Sequence, residues 1–137
     1  MSAFSDRRSI ATVALVIFDY DDAIRWYVEK LGFMIVEDVD LGGGKRWVIV
    51  APAKGQGARL LLAEASGEDQ ASRIGNQTGG RVFLFLETDD FSRDHQAMLE
   101  KGVEFREAPR FEAYGTVAVF SDLYGNLWDL IEPKRQR

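Results

Sequence analysis

Few residues of this chain could do chemistry. Asp129 stands in the run Leu127-Trp128-Asp129-Leu130-Ile131, where period-2 alternation gives it one face with Leu127 and Ile131. A carboxylate among aliphatic neighbours needs a partner or a raised pKa. It is therefore either a hydrogen-bond acceptor for a ligand or a structural acid paired with an arginine. Arg46 is a candidate for that partner; its planar fork could equally hold a ligand carboxylate or phosphate. Tyr114 lies near a loop and could rim a pocket. His95 is the only histidine. It falls four residues after Phe91 and three before Met98, beside the apolar stripe of a helix, and reads as packing rather than catalysis. No catalytic triad is supported. The chain has no cysteine, which excludes disulfides, thiolate metal sites and a cysteine nucleophile. Gly42-Gly43-Gly44 lacks the Lys-Ser/Thr and following helix of a phosphate loop, and reads as a flexible hairpin turn.

These residues must be positioned by elements the pattern makes visible. Ser9 to Phe18 reads as a strand with two apolar faces. Asp19 to Asp22 opens a helix, its Ile24, Tyr27, Val28 and Leu31 share a stripe, and Gly32 stops it. Strands are predicted over 33–40, 45–51 and 58–63. The polar stretch 65–80 is a linker, with a helical turn near 69–74. The pattern then restarts: a strand over 81–88, a helix from Asp89-Asp90 to about Lys101, a stop at Gly102, and strands from Val103, over 116–121 and over 127–132. Thr12 to Val82, Asp19 to Asp89 and Gly32 to Gly102 are each 70 residues apart, while Leu61 to Asp129 and Glu64 to Glu132 are each 68 apart. Such matched punctuation marks an internal repeat of two βαβββ modules, about 9–64 and 81–133, in one domain over 1–137. The expectation is an α+β fold: a curved mixed sheet with helices on its outer face and a concave surface for a ligand.

Composition narrows the partners. The chain has 137 residues, 46% of them hydrophobic, with a net charge of −5, which argues against a nucleic-acid backbone as ligand. The clearest basic cluster is the tail, with Lys134, Arg135 and Arg137, and reads as a solvated end. No apolar run approaches the roughly 20 residues of a membrane helix, and the N-terminus lacks a signal peptide's apolar core. A cytoplasmic protein with no membrane partner is expected.

The segment Asp122-Leu123-Tyr124-Gly125-Asn126-Leu127-Trp128-Asp129-Leu130 resembles the D-P-x-G-N-x-x-E-[LF] ending of the vicinal oxygen chelate superfamily. That group includes glyoxalase I, extradiol dioxygenases and bleomycin-resistance proteins. The chain departs from the ending at Leu123, where Pro is usual, and at Asp129, where Glu is usual. The resemblance covers about Ile10 to Pro133, and it implies a glyoxalase-like fold with a cavity often completed by a homodimer. It also implies that metal-ligand positions fall on Thr12, Leu61, Val82 and Asp129. Only Asp129 keeps a chelating side chain, and a divalent ion needs several converging donors. No cofactor is therefore expected. The reading is a binding protein for a small, partly aromatic molecule, Thr12, Arg46, Leu61, Val82, Tyr114 and Asp129 being its candidate ligand-binding residues. The alternative is a metal-dependent lyase, isomerase or dioxygenase using Zn, Ni, Fe or Mn with Asp129. A third reading is a dimeric scaffold without ligand.

Overall fold

The computed structural model describes residues 3–135, so Arg137 of the basic tail lies outside the described residues. The first module is β1 (Thr12–Ile17), α1 (Tyr20–Leu31), β2 (Met34–Gly42), β3 (Lys45–Ala51) and β4 (Arg59–Glu64). A short helix, α2 (Gly67–Ala71), lies in the connection. The second module is β5 (Leu84–Glu87), α3 (Phe91–Glu100), β6 (Glu104–Phe105), β7 (Arg110–Glu112), β8 (Gly115–Ser121) and β9 (Leu127–Pro133). The expected α+β architecture of two βαβββ-type modules is present, and each module carries its own mixed sheet.

Sheet A has the order β1-β4-β3-β2, and sheet B the order β5-β9-β8-β6 with β7 also on β8. In each sheet the opening strand lies parallel to the closing strand, Ala14 opposite Leu61 and Phe85 opposite Asp129. The sheet expected to run continuously is thus divided in two. Its division has a local cause at β1, an edge strand whose free backbone groups would otherwise seek a partner strand. The Gln77 side chain meets them: Val16 N–H donates to Oε1 at 3.2 Å, and Nε2 donates to the Ala14 carbonyl at 3.4 Å.

The helices form because their caps and stripes agree. Asp19 accepts from the Asp22 N–H at the start of α1, and Gly32 closes it in the left-handed conformation at φ 71°. Asp90, not Asp89, caps α3 by accepting from the Arg93 N–H. The repeat offset at the helix start is therefore 71, because α3 begins one residue later than a shift of 70 predicts. β5 is shorter than the strand expected over 81–88, although Phe83 and Thr88 still donate to Leu127 and Ile131 of β9. β7 was not foreseen: Pro109 and the side chain of Glu107 break one long strand into β6 and β7.

One apolar cluster joins both modules. Leu15, Ile17, Leu60 and Leu62 of sheet A meet Tyr27 of α1, Met98 of α3, and Phe120, Trp128 and Leu130 of sheet B. Trp128 stacks on Phe120 with centroids 5.9 Å apart and meets Tyr27 at the same distance. The helix-bearing faces of the sheets thus turn toward each other, with α1 and α3 in the shared layer. The other face of each sheet turns outward. In the buried layer the Tyr27 hydroxyl donates to Asp122 Oδ2 at 2.7 Å. Burial, then the Asp122 charge, push the tyrosine hydroxyl well above its ordinary pKa, so it stays a donor.

Candidate functional site

The pairing register decides which residues share the outward face of sheet B. Asp129 lies opposite Phe85 on one side and Val119 on the other, and Ile131 opposite Glu87 and Val117. Val117 in turn lies opposite Arg110. Asp129, Phe85, Val119, Ile131, Glu87 and Arg110 therefore project from one surface. Asp129 is 8% exposed, and its Oδ1 has no hydrogen-bond partner. Phe85 beside it is 64% exposed.

The charges around Asp129 come from the interrupted edge of the sheet. Glu107 inserts its carboxylate into the ladder, accepting from Val119 N–H at 2.9 Å with one oxygen and from Arg110 Nε at 2.9 Å with the other. Burial pushes Glu107 up, but the Arg110 and Val119 bonds outweigh it and hold the group below the usual carboxylate range. Arg110 is raised by its bonds to Glu107 and Tyr114, so it is a fixed cation. Burial pushes Asp129 above its ordinary value; Arg110 opposes that shift and Glu107 reinforces it.

The sign of the Asp129 shift gives a stability prediction. A group with a raised folded-state pKa binds protons more tightly in the folded state, so its contribution is full below the ordinary value of 3.8 and fades as pH rises through the raised value. Asp129→Asn removes that dependence. The melting temperature of the variant minus that of the parent chain is expected to grow from pH 3 to pH 7 in thermal unfolding. A difference that stays flat or shrinks would show that Asp129 is not desolvated.

The remaining candidates are placed as follows. Thr12 and Leu61 lie on the outward face of sheet A, Leu61 opposite Ala14 and Ile49. Arg46 points the other way, toward the helices. It donates to Asp21 at 2.8 Å and to Asp38 at 2.7 and 3.2 Å, and its guanidinium lies 5.2 Å from the Tyr20 ring centre. The expected Arg46–Asp129 pair is therefore corrected. Arg46 straps β2 and β3 to α1, and Arg110 is the cation near Asp129. Val82 is corrected as well: it precedes β5 without pairing, and the residue facing Asp129 is Phe85. The offset of 70 mixed two faces of alternating strands, whereas 71 takes Ala14 to Phe85. Tyr114 is exposed and interacts with Arg110. His95 stacks on Phe91 at 5.2 Å and meets Phe105 edge-on at 4.5 Å, on the helical side.

Sequence reading missed Arg110 and Glu107. Their i, i+3 spacing was visible, but their convergence on Asp129 depends on the break between β6 and β7.

A metal ion does not fit the four positions the resemblance names. Thr12 offers one hydroxyl, Leu61 and Val82 offer nothing, and Asp129 is the one carboxylate. Among the described residues no group of three His, Cys, Asp or Glu side chains is arranged to hold a metal ion.

Cavities of ligand size lie beside the outward face of sheet A and between the modules. One, of about 650 Å³, is lined by Trp47, Leu61 and Ala63 of sheet A together with Gly43, Gly44 and Gln70. The other, of about 480 Å³, lies between the modules and includes Val13, Phe33, Leu60 and Phe85. Asp129 lines neither; its face is a surface, not an enclosed cavity, in the single chain.

Three comparisons are informative. A protein of Shewanella frigidimarina, described as uncharacterized, is 54% identical over 127 residues, covering 92% of this chain and 94% of its own. The crystal structure of UcmS2 superposes with a TM-score of 0.79 at 27% identity, over 91% of this chain and 98% of its own. TnmS3, an antibiotic binding protein from Streptomyces sp. CB03234, superposes with a TM-score of 0.76 at 28% identity, over 96% of this chain and all of its own. The family model that matches residues 9–130 covers both modules and the closing motif, and the chain belongs to the Glyoxalase/Bleomycin resistance protein/Dioxygenase superfamily.

Proposed function

We propose that this protein binds a small, partly aromatic molecule on the outward face of sheet B, without a metal ion. The observation that carries this reading is Asp129. A buried carboxylate oxygen without a partner is costly unless something else supplies the hydrogen bond. The surrounding surface suits an aromatic body, with Phe85 and Val119 flanking the acid. The likeness to an antibiotic binding protein supports a small-molecule ligand.

A second copy completes the site in this reading. The helical layer keeps the outward faces of sheets A and B apart within one chain, so Thr12 and Leu61 cannot reach Asp129. In a two-fold dimer, sheet A of one copy can face sheet B of the other and bring these positions together. Trp47, 41% exposed on sheet A, then becomes a second aromatic wall.

The test is a thermal-shift screen against aromatic antibiotics, with light scattering for oligomeric state and metal analysis of the purified protein. A ligand at one hundred times its Kd adds about 2.7 kcal/mol to stability. At least one compound is expected to raise the melting temperature of a dimer, and Asp129→Leu is expected to abolish the shift while the variant still unfolds cooperatively. Stoichiometric Zn, Ni, Fe or Mn that Asp129→Ala removes would overturn the metal-free reading in favour of a metal-dependent lyase, isomerase or dioxygenase. A panel with no hit would leave a dimeric scaffold.

A further inference from the structure

Asp129 is one member of a charge pattern across the outward face of sheet B, and the pattern has a residue. Arg106 and Arg110 are the cations of its β6–β7 edge. Arg106 lies 3.9 Å from Glu104 and donates to Ser121 Oγ at 3.3 Å. Arg110 lies 2.9 Å from Glu107 and 3.7 Å from Glu112. Each guanidinium is therefore matched by carboxylates of its own edge. Asp129 on β9 and Glu87 on β5 remain, and among the described residues neither has an ion pair. They occupy the same face, because Phe85 and Glu87 lie opposite Asp129 and Ile131. The exposed Phe85 neighbours both, opposite Asp129 and two residues before Glu87 on β5.

The geometry points to an aromatic monocation as the ligand: its ring on Phe85 and its protonated nitrogen at Asp129, with Glu87 as the outer acid. This rests on the binding reading above and names the ligand's chemical class. Three features favour a cation over a neutral or anionic aromatic. An ammonium or amidinium donates to the Asp129 carboxylate, which no donor of its own chain satisfies at Oδ1. It adds to the partial offset that Arg110 supplies, since the Arg110 guanidinium is shared with Glu107. The π-face of Phe85 attracts a cation and repels an anion. Burial raises the Asp129 pKa and a bound cation lowers it again, so binding and ionisation reinforce each other.

Three tricyclic probes of one shape separate the alternatives at pH 8 and low salt: 9-aminoacridine as cation, acridine as neutral molecule, and acridine-9-carboxylate as anion. Binding is read from probe fluorescence anisotropy. The expected order is cation, neutral, anion, with about tenfold or more between the first two, a difference of about 1.4 kcal/mol. Asp129→Asn is expected to bring cation and neutral probe within about threefold while acridine affinity holds, which separates a lost charge from a lost fold. Glu87→Gln is expected to lower the preference by about two- to threefold, because this acid is exposed and screened. Glu68→Gln, on α2, is the unchanged control. Equal affinities, a tighter anion, or a cation preference that survives Asp129→Asn would overturn the inference. So would the failure of all three probes to bind. The binding reading falls only if the antibiotic panel is also silent, so the two failures are distinguishable.

Discussion

Asp122→Ala is expected to be the most damaging single substitution near the candidate site, costing about 3–5 kcal/mol. Asp122 is buried, and its two oxygens take four hydrogen bonds. Oδ1 accepts from Tyr124 N–H and Asn126 N–H, each at 2.9 Å. Oδ2 accepts from the Tyr27 hydroxyl at 2.7 Å and the Asn126 amide at 2.9 Å. Truncation leaves these donors facing each other without an acceptor, and water reaches the site poorly. The loss is larger than a hydrogen-bond count suggests, because each stranded donor carries its own desolvation cost. Tyr27→Phe is the informative contrast. It removes one donor and leaves Asp122 with three, and should cost about 1–2 kcal/mol. Urea unfolding measures both through the midpoint at constant slope. A loss below about 1 kcal/mol for Asp122→Ala would show that the network is not what holds the turn.

The second large effect is expected at Gly75, far from any side-chain chemistry. Gly75 has φ +76°, and a Cβ there would lie 2.1 Å from the Tyr124 carbonyl oxygen and 3.0 Å from its carbon. The obstacle is backbone, held by the Asp122 network, so it cannot swing aside. Gly75→Ala is expected to cost about 2–4 kcal/mol, combining the clash with the left-handed conformation. Gly79→Ala isolates the second term. Gly79 has φ +69° with open space around the added methyl, so it should cost about 1–2 kcal/mol. Equal losses at the two positions in thermal or urea unfolding would refute the close approach of linker and turn. The approach matters because two residues later Gln77 donates its N–H to Asn126 Oδ1 at 3.3 Å and covers the edge of β1 with its side chain. The polar connection is thus a staple between the closing motif of the second module and the opening strand of the first.

That staple was illegible in the sequence. The stretch 65–80 carries only Gly, Ser, Gln and Asn signals, which mark a connection without saying what it touches. Gln77 acts on residues about sixty positions away, and no local periodicity encodes such a contact. Arg46 shows the same limit from the other direction. Its alternation placed it correctly opposite Trp47, yet its partners are Asp38 of the neighbouring strand β2 and Asp21 of α1. Val82 shows how a repeat can mislead by one residue. The modules align at 71 in the opening strand, 70 at the helix stop and 68 in the closing strand, and a strand residue changes face with each single step.

What the sequence by itself determined are the features that local rules encode. Caps, glycine stops and alternation mark the helices, most strands and the repeat, and the turn Asp122-Leu123-Tyr124-Gly125-Asn126 marks the end of the second module. Alternation also placed Asp129 on a face with Leu127 and Ile131, so its desolvation could be expected from its neighbours alone. Only the tertiary structure decided which charges surround it. Arg110 and Glu107 come near enough to Asp129 to act on its charge because the edge breaks between β6 and β7, both paired with β8, and Thr12 and Leu61 lie on the outward face of the other sheet. Local pattern sets the direction of a side chain, but its partners follow from how the chain returns, and that depends on packing between the two modules.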